Sequence, residues 1–269
     1  MASHAKRPTA RRFSPWSVLW LVLAALYFLV PLVGSAEFSL ETGPHTYGFD
    51  AYQVILQDPA FRNGFLLSFE LALATVAIST VLMVPTVYWV NLRFPRVRSV
   101  IDFIAVLPFV VPPVALALGV SRLFQHMIWL ISGPQILVLI YVILALPYSY
   151  RSLDAGIRAI DLRTLTEAAQ SVGASWPTIL LRVILPNLRF AMFSSAFLTI
   201  TLVMGEYTIS SLLLFNTFAV YVEYTGETKA NPAAALAMIS FALTWAAMLS
   251  VLWLGRGVGR RQVQLGGTR

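Results

Sequence analysis

Six apolar runs decide what this chain can fold into. Residues 16–33, 64–90, 100–120, 127–146, 190–215 and 233–254 are each bounded by charges, Pro/Gly or polar clusters. A hydrocarbon core about 30 Å thick takes roughly 20 apolar residues per spanning helix, and each run is close to or above that length. Six spans in a chain of 269 residues leave no room for a soluble domain of ~100 residues. Composition agrees, with 58% hydrophobic residues, only 12% charged and a mean hydropathy of +0.75. The expected fold is all-α and integral to a membrane: a six-helix domain at 16–254 between basic tails at 1–15 and 255–269. Any aqueous chemistry coupled to it must be done by another chain.

The basic residues fall on alternate loops. Lys6, Arg7, Arg11, Arg12, Arg93, Arg96, Arg98, Arg151, Arg158, Arg163, Arg182, Arg189 and the carboxyl-terminal arginines lie on one side, and only Arg62, Arg122 and Lys229 on the other. By the positive-inside rule both termini are cytoplasmic. The net charge of +7 then records orientation, so no nucleic-acid partner is called for. The first run is longer than the usual 7–15 residue core of a signal peptide and is expected to stay as a spanning helix. Gly34, Ser35 and Ala36 nonetheless resemble a cleavage site.

About forty residues, 150–189, separate the fourth and fifth runs, too polar to insert and too apolar for a disordered linker. Thr164 and Glu167 have the form of a capping box ahead of a short helix from about Leu165 to Val172, which Gly173 ends. Leu165, Ala168, Ala169 and Val172 would form one stripe with small residues at its centre. Ser175 can cap a second helix with Pro177 in its first turn, and Pro186 is expected to end or kink it.

Glu167, Ala168, Ala169, Gly173, Val183, Leu185 and Pro186, in this spacing, resemble the EAA signature of permease subunits of binding-protein-dependent ABC importers, the type I fold. The family has Ile where Val183 stands. The resemblance implies that the helix from Glu167 to Gly173 is a coupling helix seated in a groove of an ABC ATPase subunit dimer, with Glu167 paired to a basic residue there. It further implies that ATP and Mg bind that partner, so this chain is a non-catalytic subunit with no cofactor of its own. A second permease, a paralogue, would complete the pore, and an extracytoplasmic solute-binding protein would deliver solute at a bacterial inner membrane. Consistent with this, the chain has no G-x-x-x-x-G-K-[ST] phosphate loop.

Glu206 lies in the fifth run and Glu70 early in the second. An acidic group at the bilayer centre costs roughly 2.5–3.5 kcal/mol on insertion scales, so both should face a cavity or a partner. Met204, Gly205, Glu206, Tyr207 and Thr208 resemble the fifth span of spermidine/putrescine, ferric-ion and thiamine permeases. That resemblance implies a translocation path lined by Glu206, Tyr207 and Glu70 and a polyamine-like cation as solute. Burial in neutral form or pairing with another helix are the alternatives for each glutamate. Pro108, Pro112 and Pro113 must interrupt the third run, and Asp102 is placed to pair with Arg98. His4, His45 and His126 are dispersed and cysteine is absent, which argues against a transition-metal site. A proton-coupled carrier using Glu70 and Glu206 is the rival reading. A lipid-acting membrane enzyme would need clustered His, Asp or Ser residues that the sequence lacks.

Overall fold

Small and hydroxyl-bearing residues share the buried faces of these helices with large apolar ones, and many further large apolar side chains face outward. A computed structural model describes residues 15–43, 46–126 and 133–265, the side chains of 247 and 250–265 excepted. The elements are α1 (Pro15–Leu40), a hairpin of β1 (Glu41–Gly43) and β2 (Thr46–Tyr47), α2 (Asp50–Gln57), α3 (Pro59–Leu92), α4 (Arg98–Val110), α5 (Pro113–Leu123) and α6 (Gln135–Arg158). Beyond them lie α7 (Leu162–Ser171), α8 (Trp176–Gly205), α9 (Thr208–Leu212), α10 (Phe218–Thr228) and α11 (Ala230–Leu265). In α3, Ser68, Ala72, Thr75 and Ser79 are buried while Leu66, Phe69, Leu73 and Val81 are exposed. Where the surrounding solvent is lipid, helices gain by close packing of small residues, and exposed leucines cost nothing.

α6 forms the centre, packed against α3 and α8. Gly156 lets α8 approach closely, since a Cβ there would stand 2.4 Å from the Ala191 Cβ. Buried Ser149 and Thr199 share a hydrogen bond of 3.4 Å across the same seam. α1 lies at the edge against α11, with apolar side chains such as Trp20 and Phe28 exposed.

Among the described residues, four helices, α1, α3, α6 and α8, are long and apolar enough to cross a membrane, and α4 with α5 make a fifth span if the bent pair is one crossing. The sixth expected span falls on α11, of which Ala230–Ala246 counts as a shorter apolar helix. Several expected boundaries move. The third run is two helices bent by 99°, because Pro112 and Pro113 deny the ladder two N–H donors in succession. Of the fourth, residues 127–132 lie outside the described residues. Its helix starts at Gln135 and continues to Arg158, so the long connection begins some eight residues later than its polarity suggested. The fifth ends at Gly205, short of Phe215. Pro186 neither ends nor separates α8, since a π-helical stretch over Leu180–Ile184 carries the chain through, with the Leu185 N–H bonded to the Leu180 carbonyl.

Candidate functional site

α7 begins earlier than the sequence reading placed it. Asp161 is the N-cap, its Oδ1 accepting the Thr164 N–H at 3.2 Å, so the Thr164–Glu167 capping box does not form. Hydrogen bonds from the Thr164 hydroxyl and backbone hold the Asp161 carboxyl below its usual range. The helix closes with Gly173 at φ +79°, the Gly173 N–H on the Gln170 carbonyl and the Ala174 N–H on the Ala169 carbonyl. Those two bonds define a Schellman cap, which needs the left-handed conformation that glycine adopts freely.

The earlier start rotates the expected stripe. Leu162 and Thr166 are buried and Leu165 and Ala169 half-buried, while Ala168 is exposed and Val172 is 82% exposed. The inward face is fastened to α3 by the Thr166 hydroxyl, 3.4 Å from the Tyr88 hydroxyl, and by Leu162 and Ala169 packing in a cluster with Val84, Tyr88, Ile157 and Ile184. Trp176, just beyond, stacks on Trp89, and the Arg93 guanidinium lies over the Trp89 ring. Leu185 is half-buried against this cluster and Pro186 is exposed.

Glu167 is exposed and, among the described residues, pairs only with Arg163 one turn earlier, Nε to Oε1 at 2.7 Å. Both partners are solvated and the basic residue precedes the acid, so the pair is a weak hold that a better-placed cation could displace. α7 therefore has one face fixed to the bundle and another, carrying Glu167, Ala168 and Val172, that is exposed among the described residues.

The second constellation sits where α8 breaks. Glu206 has extended backbone between α8 and α9, and its carboxylate folds over the next turn. Oε1 accepts the Ile209 N–H at 2.8 Å and Oε2 the Ser210 N–H at 3.2 Å. The Tyr141 hydroxyl donates to Oε2 at 3.1 Å, and the Ser210 Oγ lies 3.2 Å from the same oxygen. Glu206 thus offers the freed N–H groups of a broken helix the acceptor that lipid cannot provide. Tyr207, next to it, is exposed. Glu70 is exposed on α3 and has no ion pair among the described residues. Leu71, next to Glu70, and Ile209, whose N–H bonds to Glu206, share one buried cluster.

Four contributors escaped the sequence reading. Asp161 was legible as an acid three residues before Thr164, and Arg163 as an i, i+4 partner of Glu167. Tyr141 and Asp154 gave no local signal, because their partners come from other helices. The expected Arg98–Asp102 pair is long, 3.9 Å, and Arg98 instead reaches Asp154 at 2.9 Å.

Residues 84–264, which include α7 and the Glu206 break, match the family described as binding-protein-dependent transport system inner membrane component. The chain belongs to that family. Glu70 lies outside the matched residues. A probable ABC transporter permease protein, y4fN, of Sinorhizobium fredii (strain NBRC 101917 / NGR234) is 27% identical to this permease over 207 residues, 73% of this chain and 36% of that protein. Sulfate permease 2, chloroplastic, of Chlamydomonas reinhardtii is 26% identical over 216 residues, 70% of this chain and 57% of its own length. The permease thus spans between about a third and somewhat over half of these curated relatives. Among solved structures, a bacterial ABC transporter involved in the import of the acidic polysaccharide alginate aligns with a TM-score of 0.69 at 16% identity, covering 90% of this chain and 94% of that one. An amino acid ABC transporter aligns with a TM-score of 0.54 at 18% identity, covering 78% and 99%. At such identities the likeness is one of fold, and that fold is the type I ABC importer permease, all-α and membrane-embedded.

Proposed function

We propose that this permease forms half of the translocation pore of an ATP-driven importer and couples to a separate ATPase dimer through α7. The observation that carries the reading is the two-sided character of α7: Thr166 and Leu162 hold it to α3, while Glu167, Ala168 and Val172 are exposed at the bundle's end. A helix of ten residues is unstable alone in water, so a partner can move it only together with what it is packed on. Glu167 pairs with a basic residue of the ATPase groove, Ala168 and Ala169 permit close approach, Gly173 makes the turn, and Leu185 and Pro186 set the joint with α8. ATP and Mg stay on the partner. Both termini lie on the ATPase side, a second permease completes the pore, and an extracytoplasmic binding protein supplies solute.

Reconstitution into proteoliposomes tests this. Transport should require the ATPase subunit, and Glu167→Lys should abolish its association and coupled uptake. Uptake without the ATPase, or undiminished association of Glu167→Lys, overturns the reading. Because the chain has no cysteine, single-cysteine labelling at either terminus reports orientation directly.

For the solute, we propose a small polyamine-like cation passing Tyr207 and Glu70 beside the Glu206 break. Support comes from the resemblance of Met204 to Thr208 and from Glu70, exposed and without an ion pair among the described residues. Spermidine presented with the cognate binding protein should stimulate ATP hydrolysis. Stimulation by sulfate in its place overturns the cation assignment. A proton-coupled carrier is disfavoured by the family match and because the Glu206 carboxylate is occupied as a helix cap.

A further inference from the structure

A cleft of about 440 Å³ lies between α4 and α6, at the end of the bundle that carries α7. Arg98, Arg151 and Arg158 line it with Asp102, Asp154 and Tyr150. Most of this charge is already matched. The buried Asp154 carboxylate accepts from Arg158 at 2.6 Å, Arg98 at 2.9 Å and the Asn91 amide at 3.0 Å. Arg151 is left exposed, without an ion pair among the described residues, and gives the cleft a surplus positive charge.

Tyr150 supplies a second, independent observation. It is 2% exposed, and its hydroxyl, though within range of Asp102, closes no hydrogen bond of ordinary length. Buried hydroxyls almost always find an acceptor, so one turned into a cleft beside guanidiniums calls for an anionic oxygen. Arg98 and Arg158 each spend only part of their five N–H donors on Asp154. A tetrahedral oxyanion can accept from the tyrosine and from several arginines together, which a single-oxygen acceptor cannot.

We propose that this cleft binds a phosphate group, with Arg151 as its free counter-charge and the Tyr150 hydroxyl as its buried donor. A phospholipid headgroup and free phosphate share this chemistry. Basic pockets between membrane helices suit lipid headgroups, and exposed Phe103, Ile104 and Val110 on α4 would flank the acyl chains. The site uses none of the docking or path residues and stands independently of the transport reading.

The test uses the full permease complex in maltoside micelles, which carry no phosphate, alone, with phosphatidylglycerol added, or with millimolar inorganic phosphate. Phosphatidylglycerol or phosphate should raise Tm by several degrees, as expected when a ligand binds only the folded state. Tyr150→Phe and Arg151→Gln should each remove at least half of that rise. Tyr150→Phe deletes a hydroxyl that closes no hydrogen bond of ordinary length, so its Tm in the micelles alone should change little. A rise with phosphatidylglycerol only assigns a lipid headgroup, and a rise with inorganic phosphate as well assigns the free anion. No rise in either arm overturns the proposal. So does a rise that Arg96→Gln, a surface arginine outside the cleft, reduces as much as Arg151→Gln does.

Discussion

Trp89, near the end of α3, and Trp176, in the first turn of α8, stack with ring centroids 5.8 Å apart and planes 22° apart. Tryptophans near the ends of spans commonly anchor a helix at the membrane interface, but the Trp89 ring is a joint between two long helices beside α7. Next to it, the Tyr88 and Thr166 hydroxyls attach α7 itself to α3. α3 in turn holds the segment beyond the Glu206 break, where the Phe218 N–H donates to the buried Ser68 Oγ at 2.8 Å. A displacement of α7 therefore has a packed route, through α3, to the polar groups at mid-bundle.

Trp176→Ala should weaken that route without touching the exposed face of α7. Aromatic pairs contribute about 0.5–1.5 kcal/mol beyond their buried area, too little to unfold the protein and enough to loosen the joint. In proteoliposomes the variant should keep ATPase association and ATP hydrolysis while solute moved per ATP falls several-fold. Unchanged stoichiometry would show that Trp89 and Trp176 take no part in coupling.

Asp161 makes the start of α7 pH-sensitive. Its folded-state pKa is lowered by the Thr164 hydrogen bonds, so the stabilisation is fully present above the unfolded value of about 3.9 and is lost as pH falls through the folded one. Hydrogen exchange of the first-turn amides of α7, corrected for intrinsic rates, should show constant protection above about pH 5 and a decline below about pH 4. Asp161→Asn retains a capping oxygen and should flatten the profile, whereas Asp161→Ala should lose protection at every pH. A decline that persists in Asp161→Asn would assign the effect to another group.

How far the sequence alone reached can be seen in these same residues. The apolar runs, Gly173 as a helix end and the exposure of Glu167 follow from local rules, because hydropathy, positive φ and charge act within a few residues. The rotation of α7 does not, since Tyr88, 78 residues away from Thr166, decides which side faces inward. The role of Glu206 was hidden for a similar reason: an acid in an apolar run reads as a path residue until the helix is seen to break beside it. The third run shows the reverse case, where Pro112 and Pro113 announced an interruption but only packing of α5 against α9 fixed a bend of 99°.

Glu206 and Tyr207 should separate by phenotype. Glu206→Ala leaves the Ile209 and Ser210 N–H groups without their acceptor in a part-buried site, a loss of about 1–3 kcal/mol. Its melting temperature should drop, and transport with it. Tyr207→Ala removes an exposed ring that caps nothing, so stability should hold while solute-stimulated ATP hydrolysis changes. Equal melting temperatures for the two variants would refute the capping role.

The approach of α6 to α8 is testable by exchanging one methyl group across the seam. Gly156→Ala brings a Cβ to 2.4 Å from the Ala191 Cβ, far inside van der Waals contact, and neither group is the end of a flexible side chain. The helices must separate, at a cost of about 1–3 kcal/mol for an overpacked site. Ala191→Gly restores the space, and the remaining neighbour, Leu188 Cδ2 at 3.4 Å, is tolerable. The double variant keeps one helical glycine, as the native pair does, and should therefore recover most of the loss in thermal stability. Additive losses in the double variant would show that these two positions do not set the spacing of the helices.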